Sequence, residues 1–158
     1  MKGLRDPEAI KDILWAFGKA SRPTKLFSVL EPRLVKMAPR LTPRQISTLL
    51  WTYSEAGCGS ERLFQPLGRA AICGLNVLSP NGIVNLMCAF SHSRIRSPRL
   101  FAACQGHVIW HASRFTVREL ANVARAYAVA GEPAPEVFEC IELQVGPAPC
   151  TPSPFGLP

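Results

Sequence analysis

The feature that most constrains the fold of this chain is a pattern that recurs every 37 residues. Two aromatic series follow that step: Phe27, Phe64, Phe101 and Phe138, and Tyr53, Phe90 and Tyr127. A period of this length is typical of repeat proteins, in which each unit packs against its neighbours instead of around one central core. The sequence therefore predicts a repeat array and not a compact single-core enzyme.

Each repeat opens with a helix-start signal. A side-chain oxygen precedes the first turn, and in three copies proline occupies the first helical position, where its missing N–H is harmless. The four dipeptides are Asp6-Pro7, Thr42-Pro43, Ser79-Pro80 and Thr116-Val117. Thr42 with Gln45, and Thr116 with Glu119, also match the capping box. We expect a helix to begin at each of these sites.

After each cap, apolar residues recur at i, i+3, i+4 and i+7, the spacing of one buried stripe on an amphipathic helix. The four sets are Ile10, Ile13, Leu14, Phe17; Ile46, Leu49, Leu50, Tyr53; Ile83, Leu86, Met87, Phe90; and Leu120, Val123, Ala124, Tyr127. The first set precedes the second by 36 residues, so the loop inside the first repeat should be one residue shorter. All of these residues are predicted to belong to the core.

A second helix is predicted in each repeat, at about 23–37, 61–74, 98–111 and 135–145. Pro32 and Pro66 fall inside two of them and are expected to kink or shorten those helices. The predicted fold is all-α, a right-handed α-solenoid of about four helix-turn-helix repeats of 37 residues. The helical-repeat domain covers 1–145, with repeats at about 6–40, 41–77, 78–114 and 115–145, and 146–158 is a proline-rich extended tail.

The charge of the chain is unevenly distributed. The 18 Lys+Arg and 11 Asp+Glu residues give a net charge of +7, which favours an anionic partner such as nucleic acid. The net charge is +5 over 1–40, +1 over 41–77, +4 over 78–114 and −3 over 115–158. A polyanion should therefore contact the first three repeats. A generic basic protein without such a partner is the alternative.

Several classes of function have no support in the sequence. There is no P-loop, dinucleotide fingerprint, nucleophile elbow or carboxylate pair, so we expect neither an enzyme nor a cofactor. No run of 18 apolar residues is present, so no membrane span is expected, and the six cysteines should be reduced thiols. Cys104, His107 and His111 share one helix face, but no fourth ligand is evident, so no metal site is predicted.

A 37-residue helix pair with a cap, an aliphatic and aromatic first helix and an early phenylalanine in the second resembles the heptatricopeptide repeat. That repeat is similar to the octotricopeptide and pentatricopeptide repeats of organelles. Residues 115–131 (FTVRELANVARAYAVAG) match best, and the resemblance covers about 6–145. It implies an organellar RNA-binding protein of the apicomplexan mitochondrial type, some of which are built into the ribosome around fragmented ribosomal RNA. The implied location is the mitochondrial matrix.

In solenoids of this kind the first helices line the concave surface, so their polar face is where RNA contacts are expected. Three columns run along it: Glu8, Arg44, Asn81, Arg118; Asp12, Thr48, Asn85, Asn122; and Trp15, Trp51, Cys88, Arg125. Hydrogen-bonding side chains flanked by arginine and tryptophan suit single-stranded RNA. The predicted RNA-binding residues of this face are Arg44, Thr48, Asn81, Asn85, Arg118, Asn122 and Arg125. A solvated helix face is the alternative, and for the two tryptophans packing between repeats is favoured.

A separate basic ladder begins the second helices at the same step: Lys25, Arg62 and Arg99. With Arg22, Arg94 and Arg96 it should form a basic edge near the loops inside the repeats. Phosphate contacts there would supply affinity without reading sequence. A solvated charged rim is the competing interpretation.

The predicted function is that of a non-enzymatic RNA-binding protein, a structural component of a mitochondrial ribosome that contacts ribosomal RNA. The alternative is a protein–protein scaffold subunit of a mitochondrial complex. The acidic fourth repeat and the proline-rich tail favour neighbouring proteins in a large assembly at that end. The last helix should present Val137, Phe138, Ile141 and Val145 with no further repeat to cover all of them.

Overall fold

The computed structural model describes residues 6–19 and 25–146. Within these ranges the chain is all-α, with eight α-helices and no β-strand. The helices are α1 (Pro7–Lys19), α2 (Lys25–Met37), α3 (Pro43–Glu55), α4 (Glu61–Ile72), α5 (Pro80–His92), α6 (Pro98–Trp110), α7 (Val117–Ala130) and α8 (Pro135–Val145). Short 3-10 helices at Ala38–Arg40, Leu75–Val77 and Ala112–Arg114 lead into α3, α5 and α7. Residues 147–158 of the predicted tail, residues 23–24 of the predicted second helix and Arg22 of the predicted basic edge lie outside the described residues.

The helix starts follow the predicted caps. The Thr42 hydroxyl accepts a hydrogen bond from the Gln45 N–H at 3.3 Å, and the Gln45 side chain accepts one from the Thr42 N–H at 2.8 Å. Thr116 and Glu119 form the same capping box. The other two caps are the Ser79 hydroxyl, 3.2 Å from the Gly82 nitrogen, and the Asp6 carboxylate, 3.1 Å from the Glu8 nitrogen. The capping predictions are confirmed.

Neither internal proline ends its helix. α2 continues past Pro32 to Met37, and α4 continues past Pro66 to Ile72. Each proline removes one backbone hydrogen bond, but apolar residues of both helices are buried in the core on either side of it. The expected shortening is therefore wrong for α2, and α4 ends two residues before its predicted end, well beyond the proline.

The helices pack in two rows. The first helices of the four pairs contact one another in order, α1 on α3, α3 on α5 and α5 on α7. The second helices do the same, α2 on α4, α4 on α6 and α6 on α8. Each helix thus contacts its counterpart in the next pair, and one continuous apolar core runs through the stack.

Aromatic contacts between the two rows recur at the 37-residue step. The edge-on pairs are Phe27–Tyr53, Phe64–Phe90 and Phe101–Tyr127, with ring centroids 4.9, 5.1 and 5.3 Å apart. Edge-on packing is one of the two favoured geometries for aromatic rings. Both tyrosines also donate a hydrogen bond to the carbonyl of the partner phenylalanine, at 2.9 Å for Tyr53 and 2.8 Å for Tyr127. Residues 37 positions apart therefore occupy equivalent places in successive helix pairs.

The predicted apolar stripe is only partly buried in α1. It is buried in α3, in α5 and, except for the half-buried Ala124, in α7. In α1, Ile10 is buried whereas Ile13 and Phe17 are exposed. Tyr53, the counterpart of Phe17, is covered by α2 of the preceding pair, and no described helix precedes α1. The core prediction is therefore wrong for Ile13 and Phe17.

The last helix is covered on one side. α8 contacts α6 and α7, which bury Val137 completely, so the expectation that Val137 would be presented is wrong. Phe138 and Val145 are exposed and Ile141 is half-buried, as expected for the side that faces away from α6 and α7.

Candidate nucleic-acid interface

A groove runs between α3 and α5 and contains four of the predicted RNA-binding residues. Arg44 and Thr48 line it from α3, and Asn81 and Asn85 line it from α5. Its volume is about 350 Å³. The four residues meet because each helix presents positions i and i+4 on one face and the two helices pack side by side. We call this the α3–α5 groove.

Two of the side chains in the α3–α5 groove are available to a ligand. The Asn81 and Asn85 amides form no hydrogen bond with any described residue, so their donors and acceptors remain open. The floor of the groove is fixed, because the buried Ser47 hydroxyl donates to the Gly82 carbonyl at 2.6 Å. The groove therefore combines a rigid floor with unpaired amides and a cation at its edge.

A second groove, of about 310 Å³, lies between α1 and α3 and shares Arg44 and Thr48. Here Glu8 accepts hydrogen bonds from Lys11 and, at 2.6 Å, from the Gln45 side chain. These contacts, first from Lys11 and then from Gln45, lower the pKa of the Glu8 carboxyl. An ionised carboxylate that already pairs with Lys11 is a poor neighbour for phosphate. The cations of this face that have no carboxylate partner therefore begin at Arg44.

At the α7 end of the face, the predicted residues bond to one another. The Arg125 guanidinium donates to the Asn122 side chain at 3.1 Å, and Arg118 is exposed one turn earlier. Cys88 of α5 is buried beneath them. Burial raises the pKa of the Cys88 thiol, and the nearby Arg125 opposes the rise. Asn122 is thus already engaged, whereas Asn85 is open.

The arginines of this face are not neutralised by the protein. Within the described ranges, Lys11 forms ion pairs with Glu8 and, at 3.3 Å, with Asp12, and no arginine has a carboxylate within ion-pair distance. Exposed arginines without a carboxylate partner can neutralise the phosphates of a polyanion, which releases the counterions condensed on that polyanion and so drives binding. Arg44, Arg118 and Arg125 therefore present uncompensated charge to solvent.

The remaining predicted residues form a second surface, which we call the basic edge: Lys25, Arg62, Arg94, Arg96 and Arg99, all exposed. Arg94 and Arg96 lie in the loop between α5 and α6, in a groove of about 420 Å³ that Val129 of α7 and Glu132, two residues after that helix, also line. The α3–α5 groove lies at the opposite end of the first helices. A helix of 13 residues is about 20 Å long, so the sequence-predicted set divides into two surfaces.

Sequence reasoning missed a backbone feature of the basic edge. Arg94 adopts a left-handed conformation, with φ of 54°. At the equivalent positions 37 residues before and after it, Gly57 and Gly131 have φ of 64° and 67°. An L-residue with a side chain pays about 1–2 kcal/mol in this conformation. The 37-residue step from Gly57 through Arg94 to Gly131 was the signal that could have identified it.

The two tryptophans lie in different environments, and the group of Cys104, His107 and His111 includes a buried thiol. Trp51 is half-buried and its ring lies 5.7 Å from that of His92, which agrees with packing between helix pairs, whereas Trp15 is exposed. Burial raises the pKa of the Cys104 thiol to about 12, and the His107 and His111 rings are 4.6 Å apart. In the part of the chain that the structure describes, no group of three or more His, Cys, Asp or Glu side chains is placed to hold a metal ion.

Comparison with known proteins assigns no family: no protein-family model matches this sequence, and no curated protein shows significant similarity to it. None of the helices within 6–19 and 25–146 has both the length and the apolar character needed to cross a membrane.

Proposed function

We propose that this chain is a non-enzymatic RNA-binding protein, a right-handed α-solenoid of four helix pairs that serves as a structural component of a mitochondrial ribosome. The observation that carries the RNA-binding proposal is the α3–α5 groove, in which Arg44 stands beside the open amides of Asn81 and Asn85. The organelle and the ribosome are proposed from the resemblance of the 37-residue unit to the heptatricopeptide repeat.

The two rows of helices support the solenoid. First helices contact first helices and second helices contact second helices, so each pair repeats the environment of the one before it. In such an array, packed helices lie about 8–10 Å apart. Equivalent side chains then line up along one face, as in helical-repeat proteins that present a few side chains per repeat to successive bases.

The mechanism that follows is electrostatic cradling with limited base reading. Arg44 and Arg118 would neutralise phosphates along the first helices, and the basic edge would hold a second stretch of backbone. The Asn81 and Asn85 amides can hydrogen-bond to the edges of unpaired bases, which favours single-stranded segments of ribosomal RNA over duplex. Affinity would come mainly from charge, and selectivity from the groove.

The test is binding of fluorescent single-stranded RNA to the full chain, followed by anisotropy over a range of salt. Arg44→Ala should weaken binding to all sequences and reduce the slope of log K against log salt by about 1. Asn85→Ala should change the preference among sequences with little effect on that slope. Arg69→Ala is the control, because Arg69 is exposed on α4 and lines neither groove. Equal losses in all three variants would contradict the proposed site.

The scaffold alternative is favoured by one region. α8 exposes Phe138 and Leu143 and carries the carboxylates of Glu136, Glu139 and Glu142, a surface that suits a protein better than RNA. Crosslinking the native protein in a mitochondrial extract distinguishes the two. Crosslinks between ribosomal RNA and residues of the α3–α5 groove, such as Arg44 and Asn85, would support the proposed function. Crosslinks to proteins alone would overturn it in favour of a scaffold.

A further inference from the structure

The end of the helix stack at α8 exposes one half of the repeated aromatic contact. Phe27, Phe64 and Phe101 each pack edge-on against an aromatic residue of the next pair and are 1%, 0% and 2% exposed. Phe138 holds the equivalent position in α8 and is 39% exposed. Within the described ranges no helix follows α8, so this phenylalanine lacks the ring that its counterparts have.

The end at α1 exposes the other half of the same contact. Tyr53, Phe90 and Tyr127 receive the phenylalanine of the preceding pair and are 0%, 0% and 1% exposed. Phe17 holds the equivalent position in α1 and is 40% exposed. One end of the stack therefore offers a phenylalanine without an acceptor ring, and the other offers an acceptor ring without its phenylalanine.

The apolar residues around these two rings follow the same rule. Val145 is 48% exposed, while its counterparts Leu34, Ala71 and Val108 are fully buried. Ile13 is exposed, and its counterpart Leu49 is fully buried. We call Phe138, Ile141, Glu142 and Val145 the C-terminal face, and Ile13, Phe17 and Lys25 the N-terminal face. Inside the stack, the positions equivalent to one face are buried against the positions equivalent to the other face.

One polar contact between successive pairs also has a counterpart across the two faces. Inside the stack, the Gln105 side chain donates to the Glu136 carboxylate at 2.8 Å, from α6 to α8. Glu142 lies one step of 37 residues after Gln105, and Lys25, three such steps before Glu136, holds the position of Glu136 in the first helix pair. A repeat of this contact between two copies would set a carboxylate against an ammonium. Both side chains are exposed.

The overall charges of the ends are complementary as well. Residues 1–40 carry a net charge of +5 and residues 115–158 carry −3. In the described part of α8 the charged side chains are the exposed carboxylates of Glu136, Glu139 and Glu142. Opposite charges of this size steer two surfaces together and disfavour pairing of two identical ends.

We propose that copies of this chain associate head to tail, the C-terminal face of one copy covering the N-terminal face of the next. Phe138 packs edge-on against Phe17 of the second copy, and Glu142 lies beside Lys25. The two faces are different surfaces, so the contact is heterologous and continues from copy to copy instead of closing as a symmetric dimer. The inference does not rest on the α3–α5 groove, and of the basic edge it uses Lys25 alone, so its tests are made without RNA.

The first test is sedimentation velocity of the full chain without RNA, over a roughly hundredfold range of concentration. The average mass should rise continuously past that of a dimer, and added salt should lower it because the exposed charges are screened. A chain that stays monomeric over this range would overturn the proposal and leave the two faces to a different occupant. A mass that stops at a dimer would overturn it too.

The sharper test mixes two blocked variants, Phe17→Glu and Phe138→Glu. Each alone should be monomeric, because each lacks one of the two faces. An equimolar mixture should form 1:1 dimers and nothing larger, since one intact face of each kind remains. Failure of the mixture to form dimers, with both variants helical by circular dichroism, would contradict the head-to-tail contact. Trp110→Glu is the control, because Trp110 is an exposed aromatic residue outside both faces and its loss should leave assembly unchanged.

The charge pair has its own test. Lys25→Glu alone should weaken self-association roughly fivefold, and so should Glu142→Lys. The double variant should recover the wild-type association, because the pair is restored with its signs exchanged. Additive losses in the double variant would show that Glu142 and Lys25 do not meet, and that the two faces do not join in this register.

Discussion

The interior of the helix stack and its two ends place equivalent aromatic positions in different surroundings. Phe64 and Phe138 are separated by two steps of the repeat, yet Phe64 is buried against Phe90 and Phe138 faces solvent. Tyr53 and Phe17 differ in the same way at the other end. The comparison indicates that the burial of a residue in this stack depends on the neighbouring helix pair as well as on its own helix. A mutation should therefore have an effect that depends on the pair in which it is made.

The largest expected effect tests this comparison directly. Phe64→Ala removes a fully buried ring and should lower the free energy of unfolding by about 3–5 kcal/mol, because the α4–α5 interface cannot collapse around the cavity. Phe138→Ala removes the equivalent ring at the exposed end and should cost less than about 1 kcal/mol. Urea denaturation at low protein concentration measures both without interference from self-association.

Phe101→Ala is the matched control, since Phe101 is a second interior member of the series and contacts Tyr127. It should behave like Phe64→Ala. Similar losses at positions 64 and 138 would mean that α8 is covered as completely as α4, and the distinction between interior and end would fail.

Much of the helical framework was predictable from local chemistry. Thr42, Ser79 and Thr116 are cap residues that bond within three positions of themselves, so their role is contained in a short segment. The meeting of Phe27 with Tyr53 also follows from the two aromatic series, because a fixed step places equal residues in equal surroundings.

The features of the structure that could not be predicted depend on which helices and side chains surround a residue. The stripe of α1 has the same pattern as that of α3, but Ile13 and Phe17 have no preceding helix pair within the described ranges to cover them. In the candidate site, the sequence placed Arg44, Asn81 and Asn85 in columns on the polar face of the first helices. It could not show that only some of the amides would be open, because Asn122 is engaged by Arg125 across one helical turn.

The second expected effect compares a glycine inside the stack with one on its surface. A Cβ added at Gly68 would lie 2.7 Å from the Cζ atom of the buried Phe90 ring. Gly68→Ala should therefore destabilise the chain by about 1–3 kcal/mol through overpacking. Gly106, inside α6, has nothing within 4 Å of the same position. Gly106→Ala should stabilise the chain by about 1 kcal/mol, because alanine has the higher helix propensity.

Thermal and urea unfolding of the two glycine variants should shift in opposite directions. A loss at both positions would indicate that α6 is also closely packed on its outer side. A gain at both would mean that the Phe90 ring can move aside, and that the α4–α5 interface is less rigid than the buried ring suggests.

The smallest expected effect separates stability from function at the basic edge. Arg94 occupies the left-handed position that Gly57 and Gly131 occupy in other pairs. Arg94→Gly should raise the free energy of unfolding by about 1 kcal/mol, because glycine has no Cβ to be strained there. The same substitution removes a cation from the basic edge, so it should weaken RNA binding and lower its salt dependence.

The reciprocal variant, Gly57→Ala, places a side chain in the same backbone conformation without touching a charge, and a Cβ there meets nothing within 4 Å. It should lose about 1 kcal/mol of stability through backbone strain alone and leave RNA affinity unchanged. Opposite signs at the two positions would show that the arginine is retained against a conformational cost, which is the usual condition of a residue kept for binding. If Arg94→Gly stabilised the chain and RNA affinity did not fall, the basic edge would be a solvated rim and the α3–α5 groove would have to account for binding alone.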